Sequence, residues 1–195
     1  MNPANTTGAD GTTVYYGDLE APHQVQVFLE MRDRGSRRVV ESLLGTLRKD
    51  ADDGKYVVKF HFAGMIDDTA GGSGSRRALS ALGAAADAGQ RQFADYLAAL
   101  FAAQPFPPGY DHFSETPVLL SAADAVDGLR SADFDRKVTE GTYLNWAGVA
   151  IADFESFGVV GTPVAWYDEQ VLQVVKEEDG PAVSPQEFLA QLPGR

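Results

Sequence analysis

Between Gln24 and Phe62 the hydrophobic pattern changes period twice, and that change limits the folds open to the chain. Gln24 to Leu29 alternates as Gln-Val-Gln-Val-Phe-Leu, which puts Val25, Val27 and Leu29 on one face of a strand. From about Arg34 to Asp52 the spacing becomes helical, with Val40, Leu43, Leu44 and Leu47 on one stripe. Gly54 is placed to end that helix, because glycine enters the left-handed cap conformation at little cost. Lys55 to Phe62 returns to alternation, with Val58, Phe60 and Phe62 on one face and Val57, Lys59 and His61 on the other. A strand, a helix and a strand in this order pair the strands in parallel through a right-handed crossover, so the chain is expected to be α/β.

The flanking segments extend this unit. Residues 1–11 are small and polar and read as a loose lead-in; Thr12 to Tyr16 reads as a short strand ending at Gly17-Asp18. Gly71 to Gly74 is a break, with Ser75 as the expected cap of an alanine-rich helix over Arg76 to Ala88. A second helix carries Phe93, Tyr96, Leu97, Leu100 and Phe101 and is stopped by prolines between Gln104 and Pro108. Short helical pieces fill 109–140, and Trp146, Ala150, Phe154 and Phe157 mark another helix. Pro163 to Tyr167 and Val171 to Val175 form a hairpin around Asp168-Glu169-Gln170. Ser184-Pro185-Gln186-Glu187 is a capping box that opens a final helix, docked by Phe188, Leu189 and Leu192. The organisation expected is one domain over 1–195, with a core of 12–70 and 158–195 and a helical insertion of about 75–157.

Composition removes several functions. The 195 residues include no cysteine, which excludes disulfides, cysteine-ligated zinc and a cysteine nucleophile. An apolar fraction of 44% is enough to build a core without such staples. A net charge of −12 argues against nucleic acid and against anionic membrane surfaces. No run of about 20 apolar residues predicts a spanning helix. The start, MNPANTTGADGTT, lacks the basic and apolar regions of an export signal, so the expectation is a soluble, cytoplasmic protein. Gly71 to Ser75 lacks the Gly-Lys-Ser/Thr ending of a phosphate loop, and His23, His61 and His112 lack metal-ligand spacing. No metal and no cofactor are expected.

Three stretches carry a family likeness. Gly17-Asp18 with Ala21-Pro22, then Val25 to Glu30, resemble the opening turn and active-site strand of the DsbA-like branch of thioredoxin-fold thiol–disulfide oxidoreductases. Gly158-Val159-Val160-Gly161-Thr162-Pro163 resembles that family's G-V-x-G-T-P stretch, whose proline follows a cis peptide bond. The resemblance implies a thioredoxin-like fold with a helical insertion. It also implies a C-x-x-C pair between strand and helix, and there this chain reads Asp33-Arg34-Gly35-Ser36. Disulfide exchange needs a thiolate to attack and a second thiol to resolve, so the loss of both sulfurs removes the chemistry.

What the resemblance leaves is a candidate groove of Asp33, Arg34, Gly35, Ser36, Thr162 and Pro163. In the family the residue before the proline pairs its backbone with an extended substrate, which needs no sulfur. Arg32, Arg34, Arg37 and Arg38 form a second candidate, an anion site near a helix start. The same arginines also read as a solvated face paired with Glu30, Asp33 and Glu41. Asp33 reads equally as a helix cap. Three functions stay open: a polypeptide- or partner-binding protein without redox activity, a glutathione-transferase-like enzyme using the Ser36 hydroxyl, and a structural or assembly protein. The partner and the oligomeric state are not legible.

Overall fold

The computed structural model describes residues 1–107 and 109–194. Pro108, the last residue of the stretch read as stopping the second central helix, and Arg195 lie outside the described residues. Among the described residues six strands form one sheet: β1 (Thr6–Thr7), β2 (Thr13–Tyr16), β3 (Gln24–Glu30), β4 (Val57–Ala63), β5 (Val164–Tyr167) and β6 (Gln170–Leu172), in the spatial order β1-β2-β4-β3-β5-β6. The β3–β4 pair is parallel and the other neighbours are antiparallel. Helix α1 (Arg34–Asp52) makes the crossover between the parallel strands. Helices α2 (Met65–Thr69), α3 (Gly74–Ala88), α4 (Gln90–Ala102), α5 (Thr116–Ala123), α6 (Ala132–Glu140) and α7 (Leu144–Phe154) follow β4. The closing hairpin then leads to α8 (Pro185–Leu189).

The two faces of the sheet are covered differently. Val25, Val27 and Leu29 of β3 and Val58, Phe60 and Phe62 of β4 join the large core with Val39, Val40, Leu43, Leu44 and Leu47 of α1. Phe93 of α4 meets Phe60 edge to face at 5.3 Å. Each such buried side chain contributes roughly 1.5–3 kcal/mol of transfer free energy, so this face carries most of the stability. The opposite face holds a smaller cluster of Phe28, Ala63 and Phe154, with Phe157, Val159, Val164 and Trp166 packed against it. His61 is buried there, stacked on Phe28 at 4.7 Å and hydrogen-bonded to Gln26 Oε1 at 2.9 Å. Burial pushes its imidazole down to about 4, so it is neutral at physiological pH.

Three local features depart from the pattern reading. The lead-in is not loose: Thr6 and Thr7 pair with β2, the Asn5 side chain donates to the carbonyl of Ala86, and Trp146 Nε1 donates to the carbonyl of Gly11. These tethers are long-range, so no local pattern announces them. Ser75 does not cap α3; it lies inside the helix, buried. The first amides are capped from a distance instead: Asp111 accepts from Ser73 and Gly74 at 2.9 and 2.8 Å, and Asp67 from Ser75 and Arg76 at 2.9 and 3.0 Å. Strand β6 is shorter than the expected Val171 to Val175, ending at Leu172, while Val175 makes an isolated bridge to Ala182. The hairpin turn rests on Asp168 at φ +51°, a conformation Asp tolerates better than most side chains. The capping box does form, with Glu187 N donating to Ser184 Oγ at 3.1 Å and Ser184 N to Glu187 Oε1 at 3.3 Å.

Asp87 on α3 gathers the amino-terminal segment and two helices. It accepts from the Ala4 amide at 2.7 Å, from Lys137 Nζ at 3.0 Å and from the Tyr143 hydroxyl. Asp87→Ala leaves the Ala4 amide and the Tyr143 hydroxyl unmatched at once, while Lys137 keeps its ion pair with Asp133. It is expected to lower unfolding free energy by roughly 1–3 kcal/mol, read as a lower urea midpoint with unchanged slope.

Candidate functional site

The carboxyl end of β3 delivers Glu30, Met31 and Arg32 to the start of α1, and the chain turns there at Asp33. Asp33 has extended backbone (φ −91°, ψ 127°) and caps the helix, accepting from Gly35 N at 3.2 Å on Oδ1 and from Ser36 N at 2.8 Å on Oδ2. Oδ2 also accepts from the Ser36 hydroxyl at 2.8 Å and from Thr162 Oγ1 at 3.2 Å. A Cβ built on Gly35 would lie 2.9 Å from Pro163 Cδ, so only glycine fits without displacement of the proline ring. The structure therefore brings Asp33, Gly35, Ser36, Thr162 and Pro163 together, and the Thr162–Pro163 peptide is cis.

Within that set Ser36 is inaccessible. It has no exposed surface, and its hydroxyl donates to Asp33 while accepting from the amide of Glu30 at 3.0 Å. A thiolate ligand would have to displace both partners. The hydroxyl fixes the end of β3 to the start of α1 instead.

The four arginines do not share one environment, and the reading of them as one solvated face needs correcting. Arg32 is only 3% exposed, its Nη1 lying 2.9 Å from Asp67 Oδ1, 2.9 Å from the carbonyl of Gly71 and 3.4 Å from Asp111 Oδ1. Arg34 stacks on the Phe106 ring, its guanidinium carbon 4.4 Å from the centroid. Arg37 pairs with Glu41 at 2.8 Å, and Arg38 donates to the carbonyls of Asp179 and Gly180 at 3.1 and 3.4 Å. An anion at the start of α1 would also meet the Asp33 carboxylate, which already holds the first free amides.

Beneath the groove lies a buried network that pattern reading missed. Glu30 is fully buried and accepts from the Ser75 hydroxyl, from Arg32 N at 3.1 Å and from Ile66 N at 3.2 Å. Burial pushes its carboxyl well above the ordinary range, to about 7, against the pull of those three donors. Gln104, at the end of α4, donates from Nε2 to the carbonyls of Met31 and Asp33, both at 2.9 Å, and holds the turn from the side of the helical block. The one sequence signal was a carboxylate directly after the apolar run Val27-Phe28-Leu29. Among the described residues no group of His, Asp or Glu is arranged to hold a metal ion, and no helix is long and apolar enough to cross a membrane.

Above the network the surface is partly apolar. Phe106 is 61% exposed and Val160 is 96% exposed. Among the described residues, the backbone N–H and C=O groups of 159–162 have no hydrogen-bond partner. The site thus combines an open stretch of backbone, a carboxylate and exposed apolar side chains.

Comparison with known proteins agrees with the fold. A family model described as thioredoxin matches residues 9–182. MdbA, a thiol-disulfide oxidoreductase from Actinomyces oris, superposes with a TM-score of 0.77 at 14% identity, covering 99% of this chain and 89% of that one. MdbA from Corynebacterium matruchotii gives 0.73 at 19% identity, covering 96% and 93%. The reduced disulfide bond oxidoreductase DsbG from Mycobacterium tuberculosis gives 0.71 at 18%, covering 95% and 91%. No curated protein matches the chain by sequence.

Glu30 makes stability depend on pH. Its proton is held more tightly in the folded chain than in the unfolded one. The stability it contributes is full below about pH 4.5 and is lost as pH rises through about 7. His61, with a depressed value, has the opposite slope in an overlapping window, its contribution being lost as pH falls from about 6.5 to about 4. The difference in unfolding free energy between wild type and Glu30→Gln isolates the first effect. It is expected to fall by on the order of 3 kcal/mol across that window and stay flat above it, measured by urea unfolding at a series of pH values.

Proposed function

The chain belongs to the thioredoxin family and carries no cysteine, and from that premise we propose that it binds an extended polypeptide segment without redox chemistry. The observation that carries this reading is the unpaired backbone of residues 159–162 beside the start of α1. An extended segment can pair with such an edge through main-chain hydrogen bonds, which require no particular side chain on either partner. Phe106 and Val160 supply apolar surface for the segment's side chains.

The solved relatives are named as oxidoreductases, and this chain keeps their fold while Asp33 and Ser36 stand where the resemblance expects the redox pair. Loss of sulfur removes covalent exchange but leaves the backbone edge intact. The Ser36 hydroxyl, buried and engaged in both directions, gives no support to a transferase reading.

A fluorescently labelled, reduced and carboxymethylated polypeptide that cannot fold is a direct probe. Its anisotropy is expected to rise on titration with the protein. The double variant Phe106→Ser, Val160→Ser is expected to weaken that binding by about tenfold, as loss of two apolar contacts implies. Equal binding by both proteins would remove the groove from consideration.

A further inference from the structure

We infer that the segment this groove accepts carries a lysine or arginine at the position facing Asp33; the inference rests on the polypeptide-binding reading above. The Asp33 carboxylate lies in the groove beside Thr162, and its two oxygens are unequally used. Oδ2 accepts three hydrogen bonds, from Ser36 N, Ser36 Oγ and Thr162 Oγ1. Oδ1 accepts one, from Gly35 N at 3.2 Å, and keeps a lone pair unclaimed.

No cation of the chain neutralises this group among the described residues. The adjacent guanidinium, Arg34, is turned onto the Phe106 ring. Arg32 is committed to Asp67 and Asp111, and Arg37 to Glu41. Asp33 is half-buried, and its capping oxygen is bonded to the side chain of Thr162, whose own backbone is open. A strand laid against 159–162 therefore passes beside a carboxylate with one free acceptor site. Lysine or arginine satisfies that site with a charge-assisted hydrogen bond, whereas a glutamate there meets like charge. The chain's net charge of −12 favours approach of the same kind of partner but sets no position within it.

Short labelled peptides of alternating Thr and Val, differing only in a central Lys, Gln or Glu, test this by anisotropy at low ionic strength. The Lys peptide is expected to bind at least about five-fold more tightly than the Glu peptide. Asp33→Asn keeps a capping oxygen and is expected to bring that ratio close to one; Asp33→Ser serves if the Asn variant does not fold. Asp68→Asn removes one exposed acidic charge outside the groove and is expected to leave the ratio unchanged. A Lys preference that survives in the Asp33 variants, or equal binding of the Lys and Glu peptides by wild type, overturns the inference while the groove stands. Failure of all the peptides, Gln included, to bind overturns both the inference and the reading it rests on.

Discussion

Burying Glu30 at the end of β3 dictates how the rest of this end of the molecule is built. A carboxyl removed from water must find donors or hold its proton, and here it does both. Its donors come from three places: the amide of Arg32, the amide of Ile66 and the hydroxyl of Ser75. Bringing Ser75 there places the start of α3 under the groove. The exposed α3 amides then need acceptors, which Asp67 and Asp111 provide, and those two carboxylates in turn hold the buried guanidinium of Arg32. Phe106 lies two positions beyond Gln104, which is bonded to the turn before α1, so this rim of the groove is tied to the same turn.

By its likeness to the family, Asp33 corresponds to the first residue of that family's C-x-x-C pair. A thiolate at a helix start is stabilised by the free amides and the helix dipole. The Asp33 carboxylate accepts from the first amides of α1, those of Gly35 and Ser36. The Ser36 hydroxyl joins Asp33 to the amide of Glu30.

Much of this was legible in the order of residues. Period changes located β3, α1 and β4, and Ser184 with Glu187 located the start of α8, because each depends on neighbours a few positions apart. The proximity of Asp33 to Pro163 followed from likeness to a family rather than from spacing. What stayed hidden depends on partners far along the chain. Ser75 looks like a cap until Asp111, 37 positions beyond Gly74, supplies the capping oxygen. Arg32 looks like one of four surface arginines until its partners Asp67 and Asp111 bury it. The first eleven residues look unstructured until Trp146 and Ala86 hold them.

The contact between Gly35 and the ring of Pro163 has a thermodynamic meaning for whatever enters the groove. One wall is set by van der Waals touch between backbone and a rigid ring, with no rotamer to adjust. Little disorder is then surrendered on the protein's side when a ligand docks, and the ordering cost falls on the incoming chain. Were the groove to take the proposed segment, such a wall would discriminate by rejecting shapes that do not match it.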